Sequence, residues 1–488
     1  MTVCNLAVSP REFLSKVQKR LNISAWESKR LSVSAWEELE SAGKYTEILS
    51  HKLPPNSLRQ KVVKARVSDQ MEWLKVVATE FENAKTEAKR KPSEIRALYY
   101  VTNSLPFTNS GYSLRTARLL EAVRDLGVEV VAATRVGFPV LAGKLAPRKC
   151  DSVNGIEYRR IIPWLFAHRP SKRHDTATRE LKKLAVNEKV TILHTTTDFE
   201  NAIAVFRVAR DLGLPWIYEV RGEREKTWLS ETTLSGAARH ESSDYFRLRR
   251  RLETLSAHAA DAVITLSDVS KNEFIQRGIP ANKIHVVPNS VSNGMFSLSF
   301  DKTSLRKELE IDEGIWVGAI TAVVGYEGLE TMLSALLELP EHYKFAIVGA
   351  GSAIPDLKVI AETQGLNSRV RFVGKVEHQE IWKWYAAIDM LVVPRRDDPV
   401  CRTVTPLKPM EAMAVGTPVV VSDLPALREV TGNCAFYFNA GNSGDLASRI
   451  KEVSKDLYDV ESAKKWAQTR TWNAAAHTLL NVYQQLTK

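Results

Sequence analysis

The stretch ALYYVTNSLPFTNSGYSLRTARLLEAVRDLGVEVVAATR (97–135) decides the fold. Residues 97–103 read as a buried strand, 104–126 as a loop and helix, and Gly127 as a helix stop. VEVVAATR (128–135) then reads as a second strand. Strand, helix and strand in this order form the β-α-β unit of a parallel sheet. The pattern continues with VTILHTT (190–196), a helix over 199–212 ending at Gly213, and PWIYEVRG (215–222). AVITLS (262–267), a helix over 270–278 and IHVVPNS (284–290) follow, the last reading as the exit from a first domain.

A second series holds WVGAITAVV (316–324), KFAIVGAG (344–351), RVRFVGKV (369–376), MLVVPRR (390–396) and TPVVVSD (417–423), with helices between. A long helical segment, 442–488, closes the chain and carries Trp466 and Trp472. The fold class expected is α/β, with two Rossmann-like doubly wound parallel-sheet domains. Their ligands would lie at the strand carboxyl ends, facing each other across a cleft. The boundaries expected are 1–95 for a helical N-terminal extension, 96–290 and 291–460 for the two domains, and 461–488 for a last helix returning to the first.

Within the extension, Ser24–Glu27 and Ser34–Glu37 are both Ser-Ala-Trp-Glu, a capping box that closes unpaired N–H groups at a helix start. Val62, Val63, Val67, Met71, Leu74 and Val77 fall at helical spacing within an amphipathic run from Leu58 to about Lys89. KRKPSE (89–94) reads as a linker. The extension could pack on the first domain, drive self-association or hold the chain near a membrane.

The chain has 488 residues, 44% hydrophobic and 26% charged, an ordinary globular composition. No run approaches the length of a membrane span, and MTVCNLAVSPREFLSK lacks a signal-peptide layout, so a cytoplasmic location is expected. Cys4, Cys150, Cys401 and Cys434 are far apart, against a zinc site or a disulfide framework. A net charge of +11 favours anionic partners, yet no nucleic-acid recognition motif accompanies it. Arg247, Arg249, Arg250 and Arg251 read either as a solvated helix face or as contact with an anionic membrane or acceptor.

The chemistry concentrates in RTVTPLKPMEAMAVGTPVVVSD (402–423). A Thr- and Pro-rich loop leads into a short helix, with Pro409 at its start and Gly416 ending it. Such a helix start offers unpaired N–H groups and partial positive charge to a diphosphate, and Lys408 adds a full charge. Glu411, one turn in, suits a ribose diol.

This stretch resembles the donor-site signature of family-4 glycosyltransferases, retaining enzymes of the GT-B fold, in a subgroup marked by YEGL and PLKPxEAMA sequences. Other segments agree in order. These are LPFTNSGYSLRT (105–116), TRVGFP (134–139), LHTTTDFENA (193–202), YEVRG (218–222), VVPNSV (286–291), FAIVGAGSAIPDL (345–357) and VRFVGKV (370–376). The resemblance covers about 97–488. It implies hexosyl transfer from a nucleotide-sugar to a glycan, lipid-linked or small-molecule acceptor, with retention.

The donor contacts expected are Gly111, Gly349, Lys375, Thr405, Leu407, Lys408 and Glu411, with at least one of Arg395, Arg396 and Arg402, which the sequence does not separate. Acceptor contacts fall to Tyr112, His194, Asn201 and Arg221, and catalytic roles to His194, Lys408 and Glu411. Gly111 could instead be a turn glycine, His194 a hydrogen-bonded core histidine, and Arg221 a partner of Glu219 or Glu223.

The chain departs from the family's pattern at Thr403, where a first glutamate is usual, and at Ala322 and Glu327, where Arg and Lys are usual. Pro406 has no N–H to give a phosphate. Charge neutralisation would then fall on Lys408 and neighbouring arginines. The departures keep open a second reading, a degenerate GT-B protein that binds or scaffolds without turnover. Asp397-Asp398 reads as paired with Arg395 and Arg396 rather than as a metal motif, so no metal and no other cofactor is expected. Expected partners are a donor, an acceptor, an anionic membrane surface at the inner face, and a second copy through 1–95, with no nucleic acid.

Overall fold

The computed structural model describes residues 35–51, 58–84, 94–167, 169–455 and 457–487. Ser24–Glu27, Ser34, Cys4 and most of the 89–94 linker lie outside them. The chain divides into two compact units. The first takes the described residues up to Ile264, with 274–285 and 479–487; the second takes 265–273 and 286–478.

The first unit carries a sheet of β1 (Arg96–Val101), β2 (Glu129–Thr134), β3 (Cys150–Val153), β4 (Ile156–Arg160), β5 (Ile192–Thr196), β6 (Trp216–Glu219), β7 (Ala262–Thr265) and β8 (Ile284–Val286). Its order is β3-β4-β2-β1-β5-β6-β7-β8. The sheet leaves β1 in both directions, through β2 on one side and β5 on the other, so the order reverses beside β1. The strands run as near-continuous apolar segments because helices cover both faces. Ala97, Leu98, Tyr99, Tyr100 and Val101 are all buried.

The second sheet holds β9 (Ile315–Ile320), β10 (Tyr343–Val348), β11 (Val370–Gly374), β12 (Met390–Val393), β13 (Val419–Ser422) and β14 (Phe436–Phe438). Its order is β11-β10-β9-β12-β13-β14, and every pair is parallel. Here the order reverses between β9 and β12.

All eleven strands read from sequence are present; β3, β4 and β14 were not foreseen. β3 and β4 form an antiparallel hairpin on the sheet edge, turned by Asn154 (φ 52°) and Gly155 (φ 79°). That Asn-Gly pair is the signal for such a turn. The helical run expected over 442–488 divides into Ser443–Val453, Val460–Gln468 and Trp472–Thr487. The break before the second of these is set by Asp459, whose side chain caps the new start by accepting from Ser462 N.

The extension packs on the first unit. Its helices Ala35–Ser41, Tyr45–Ser50 and Leu58–Glu82 share a core of Trp36, Tyr45, Ile48, Val63 and Val67 with Tyr245 and Leu248. Farther along the longest helix, Trp73, Leu74, Val77 and Phe81 enter the main core of the unit. Val62 points outward instead, a correction to the expected stripe. The arginine run 247–251 is also not one solvated face: Arg249 is buried against Asp198 and Glu200. Arg251 pairs with Glu82 of the extension at 2.5 Å, and Arg247 pairs with Asp244.

Trp73 stacks on His174, with ring centroids 4.6 Å apart and planes at 16°. Burial pushes the imidazole down to about 4, against an opposing pull from Glu200. An unfolded histidine titrates near 6.5, so below that value the unfolded chain binds the extra proton. This contribution to stability is complete above about pH 6.5 and fades as pH falls to 4, by at most about 3 kcal/mol. The melting temperature should therefore fall across that window, and His174→Phe, which keeps the stack, should flatten the fall.

Candidate functional site

In the second unit, the residues read as donor contacts gather at the carboxyl ends of β9 and β12, where the strand order reverses. Open sheets bind ligands at such reversals. A small, solvent-open recess lies here, lined by Ala319, Thr321, Glu327, Val393, Pro394, Pro406 and Lys408. Gly349 and Gly351 shape its neighbourhood. A Cβ on Gly349 would lie 1.8 Å from Thr321 O, and one on Gly351 2.0 Å from Val323 O. Backbone thus packs directly on the loop after β9. This packing accounts for Gly349 without a ligand.

The short helix is Lys408–Val415, with Leu407 as its N-cap, Pro409 in its first turn and Gly416 closing it at φ 95°. Glu411 is buried and accepts from the Tyr385 hydroxyl (2.7 Å) and from Lys408 Nζ (3.3 Å). Both bonds land on Oε2, leaving Oε1 without a bond from the described residues. Burial would raise the Glu411 carboxyl, but Lys408, Tyr385 and His378 outweigh it and hold the group below its ordinary value. Glu411 is therefore a carboxylate at neutral pH, and Lys408 is the cation beside it.

The arginines are engaged differently. Arg395 is buried, bound to Glu327 Oε1 (2.8 Å) and donating to Val404 O (2.8 Å). Arg396 pairs with Glu330 at 2.5 Å, and Arg402 holds both oxygens of Asp397 at 2.5 and 2.6 Å. Of the expected Asp397-Asp398 pairing, Asp397 is taken by Arg402 instead of Arg395 or Arg396, while the Arg396 charge acts on Asp398. Thr405 is buried, with its backbone oxygen accepting from Asn289 (2.9 Å) and its hydroxyl lacking a partner among the described residues. Lys375 is exposed after β11, two strands from the reversal. Tyr385 and the Glu327–Arg395 pair belong to the site but were not foreseen.

In the first unit, Gly111 and Tyr112 open the helix Gly111–Asp125 beyond β1. Ser110 and Ser113 close its first turn by a reciprocal capping box. Tyr112 is 49% exposed, and its hydroxyl lies where a Cβ on Gly222 would be, 2.2 Å away. His194, Asn201 and Arg221 are all buried. Glu219 sits between Arg115 (2.7 Å) and Arg221 (2.6 Å), with His194 Nε2 at 3.4 Å. His194 Nδ1 meets the Tyr483 hydroxyl at 3.0 Å, and its ring stacks on Tyr99 at 4.1 Å. Burial lowers its proton affinity more than Glu219 restores it, so the ring is neutral.

Here His194 is a buried, hydrogen-bonded histidine whose ring does not reach solvent. Arg221 likewise pairs with Glu219 instead of reaching outward. Asn201 donates to Thr102 Oγ1 (2.8 Å) and accepts from Arg135 Nε (2.9 Å), inside the unit. Of the acceptor candidates, only Tyr112 faces solvent. Asp198, also unforeseen, is buried against Arg135 (2.5 Å), Arg224 and Arg249 (3.6 Å). Burial works to raise its carboxyl, and the three arginines bring it below the usual range.

Two sheets of this kind, with a Lys-Glu pair opening a helix at the second reversal, define a GT-B protein. Residues 110–290 match the Glycosyl transferase 4-like domain family and 313–456 the Glycosyl transferases group 1 family, together more than half of the chain. The chain belongs to the GT-B glycosyltransferases of these groups. It is 24% identical to an uncharacterized glycosyltransferase of Methanocaldococcus jannaschii, over 68% of this chain and 86% of that one. It is 33% identical to the lipopolysaccharide core biosynthesis mannosyltransferase of Rhizobium meliloti, over 30% of this chain and 43% of that one. A D-inositol 3-phosphate glycosyltransferase of Xylanimonas cellulosilytica is matched over 58% of its length, at 25% identity and over 47% of this chain. Among solved structures, Anabaena HepE in complex with UDP superposes with a TM-score of 0.62, 17% identity, over 80% of this chain and 100% of that one. Sucrose-phosphate synthase of Thermosynechococcus elongatus gives 0.65, also at 17% identity, over 80% and 99%.

Removing one partner of a buried ion pair leaves an uncompensated charge. Glu219→Gln should cost about 3–5 kcal/mol in denaturant unfolding of the first unit. Arg402→Ala, which breaks an exposed pair, should change unfolding of the second unit by under about 1 kcal/mol.

Proposed function

We propose that the protein transfers a hexose from a nucleotide-sugar, with retention and without a metal, and that Lys408 and Glu411 hold the donor at the reversal between β9 and β12. The observation that carries this reading is the Lys408–Glu411 pair. The carboxylate keeps Oε1 for a ribose hydroxyl, and the cation stands at the start of a helix whose N–H groups favour a diphosphate. As the nucleoside diphosphate departs, negative charge grows on its β-phosphate oxygen, and fixed donors there lower the barrier. Lys408 and the helix start supply them. Arg396 and Arg402 sit in exposed ion pairs, which open at little cost and let either side chain turn toward a phosphate.

The relatives support the chemistry chosen. One is an alpha-D-kanosaminyltransferase and another an alpha-monoglucosyldiacylglycerol synthase, both named for α-products. An α-product from an α-linked donor is retention. Several relatives build cell-surface glycans, which favours a glycan or lipid-linked acceptor. Thr403 stands in for the usual first glutamate and spends its hydroxyl on Pro399 O at 3.4 Å.

Nucleotide-sugars screened by thermal shift should identify the donor, since a ligand at 100 times its dissociation constant stabilises by about 2.7 kcal/mol. Lys408→Ala should lower turnover of that donor by about 10²–10³. Glu411→Gln should weaken donor binding, and a chelator should leave the rate unchanged. Donor binding without any turnover across acceptor extracts would overturn the enzymatic reading.

A further inference from the structure

The first unit exposes apolar side chains on two neighbouring loops. Trp164 is 94% exposed, Leu165 79% and Leu145 76%. β2 and β4 pair in parallel and end in register at Thr134 and Arg160, so the loops that follow leave the same sheet edge side by side. Gly137 joins them: at φ 84°, a Cβ there would lie 2.5 Å from Phe166 and 2.7 Å from Leu141. The base beneath is fixed by Arg160. Its guanidinium lies 5.2 and 5.5 Å from the Phe107 and Phe138 rings and donates to Ser104 Oγ (2.6 Å) and Leu105 O (3.1 Å). The exposed tips thus stand on an ordered platform.

The loops themselves carry an excess of positive charge. Lys144, Arg148, Lys149 and Lys172 are exposed and make no ion pair among the described residues. Between residues 136 and 173 the acidic side chains are Asp151 and Glu157, and each is taken, by Arg160 and Arg159. A protruding indole with aliphatic neighbours and a ring of unpaired cations is complementary to an anionic bilayer. The indole suits the headgroup layer and the cations suit lipid phosphates.

We propose that this edge docks on an anionic membrane surface, with Trp164, Leu165 and Leu145 entering the headgroup layer and Lys144, Arg148, Lys149 and Lys172 holding the lipid charge. The inference goes beyond glycosyl transfer and does not require it. It also places membrane contact away from the arginine run 247–251.

The test is sedimentation of the full chain, without substrate, with vesicles of phosphatidylcholine alone or with about 30 mol% phosphatidylglycerol. Binding should need the anionic lipid and be largely lost at about 0.5 M NaCl. The double variants Trp164→Ser/Leu165→Ser and Lys144→Glu/Lys149→Glu should each weaken it by about tenfold or more, with unchanged melting temperatures. The two pairs are independent, so misfolding of one leaves the other decisive. The proposal is overturned if the wild-type chain ignores anionic vesicles, binds both kinds equally, or binds as well with both pairs replaced. A wild-type dimer that either variant dissolves would assign the surface to a second copy instead, and would also overturn it.

Discussion

A carboxylate withdrawn from water persists only with a counter-charge and hydrogen bonds close by. Glu219 meets that demand at the end of β6, and its requirements organise the first unit. Arg115 comes from the helix after β1 and Arg221 from the loop after β6. His194, on the neighbouring strand, borders the same carboxylate and passes contact on to Tyr483. One acidic group thereby ties together two strands, the helix after β1 and the helix Trp472–Thr487. Asp198 repeats the arrangement at the end of β5 with three guanidiniums.

The second unit applies the same rule closer to solvent. Glu327 is buried and draws Arg395 inward, and Arg395 in turn fixes the backbone at Val404. An acid at position 327 therefore does not set an unbalanced negative charge beside the pocket. Arg395 is committed by this arrangement, which makes Lys408 the cation on the pocket wall. The direct backbone packing at Gly349 and Gly351 keeps the loop after β9 in place.

The parallel strands were legible because burial on both faces leaves an unbroken apolar run, as in KFAIVGAG or TPVVVSD. The hairpin of β3 and β4 carried its Asn-Gly signal, but its mixed polar flanks do not read as core. The pairing of Lys408 with Glu411 could be read because three residues along a helix is one turn. Tyr385, 26 residues from Glu411, and Arg115, 104 from Glu219, could not. Sequence also does not separate a polar residue that faces a ligand from one sealed in a core. His194 lies within β5, Asn201 in the first turn of the helix that follows it and Arg221 in the loop after β6, and the tertiary structure seals all three.

The Tyr483 contact bears on how the chain is made. Its partner His194 lies 289 residues earlier, and the whole of the second unit is encoded between them. A ribosome extends the chain from its amino end, and domains commonly fold as they emerge. The first sheet can assemble early, but the place that receives Tyr483 stays open until that residue has been made. During that interval His194 Nδ1 lacks its hydroxyl partner. All the strands of the second unit precede Tyr483 in the chain, so its sheet can be complete before the first unit closes on that side chain.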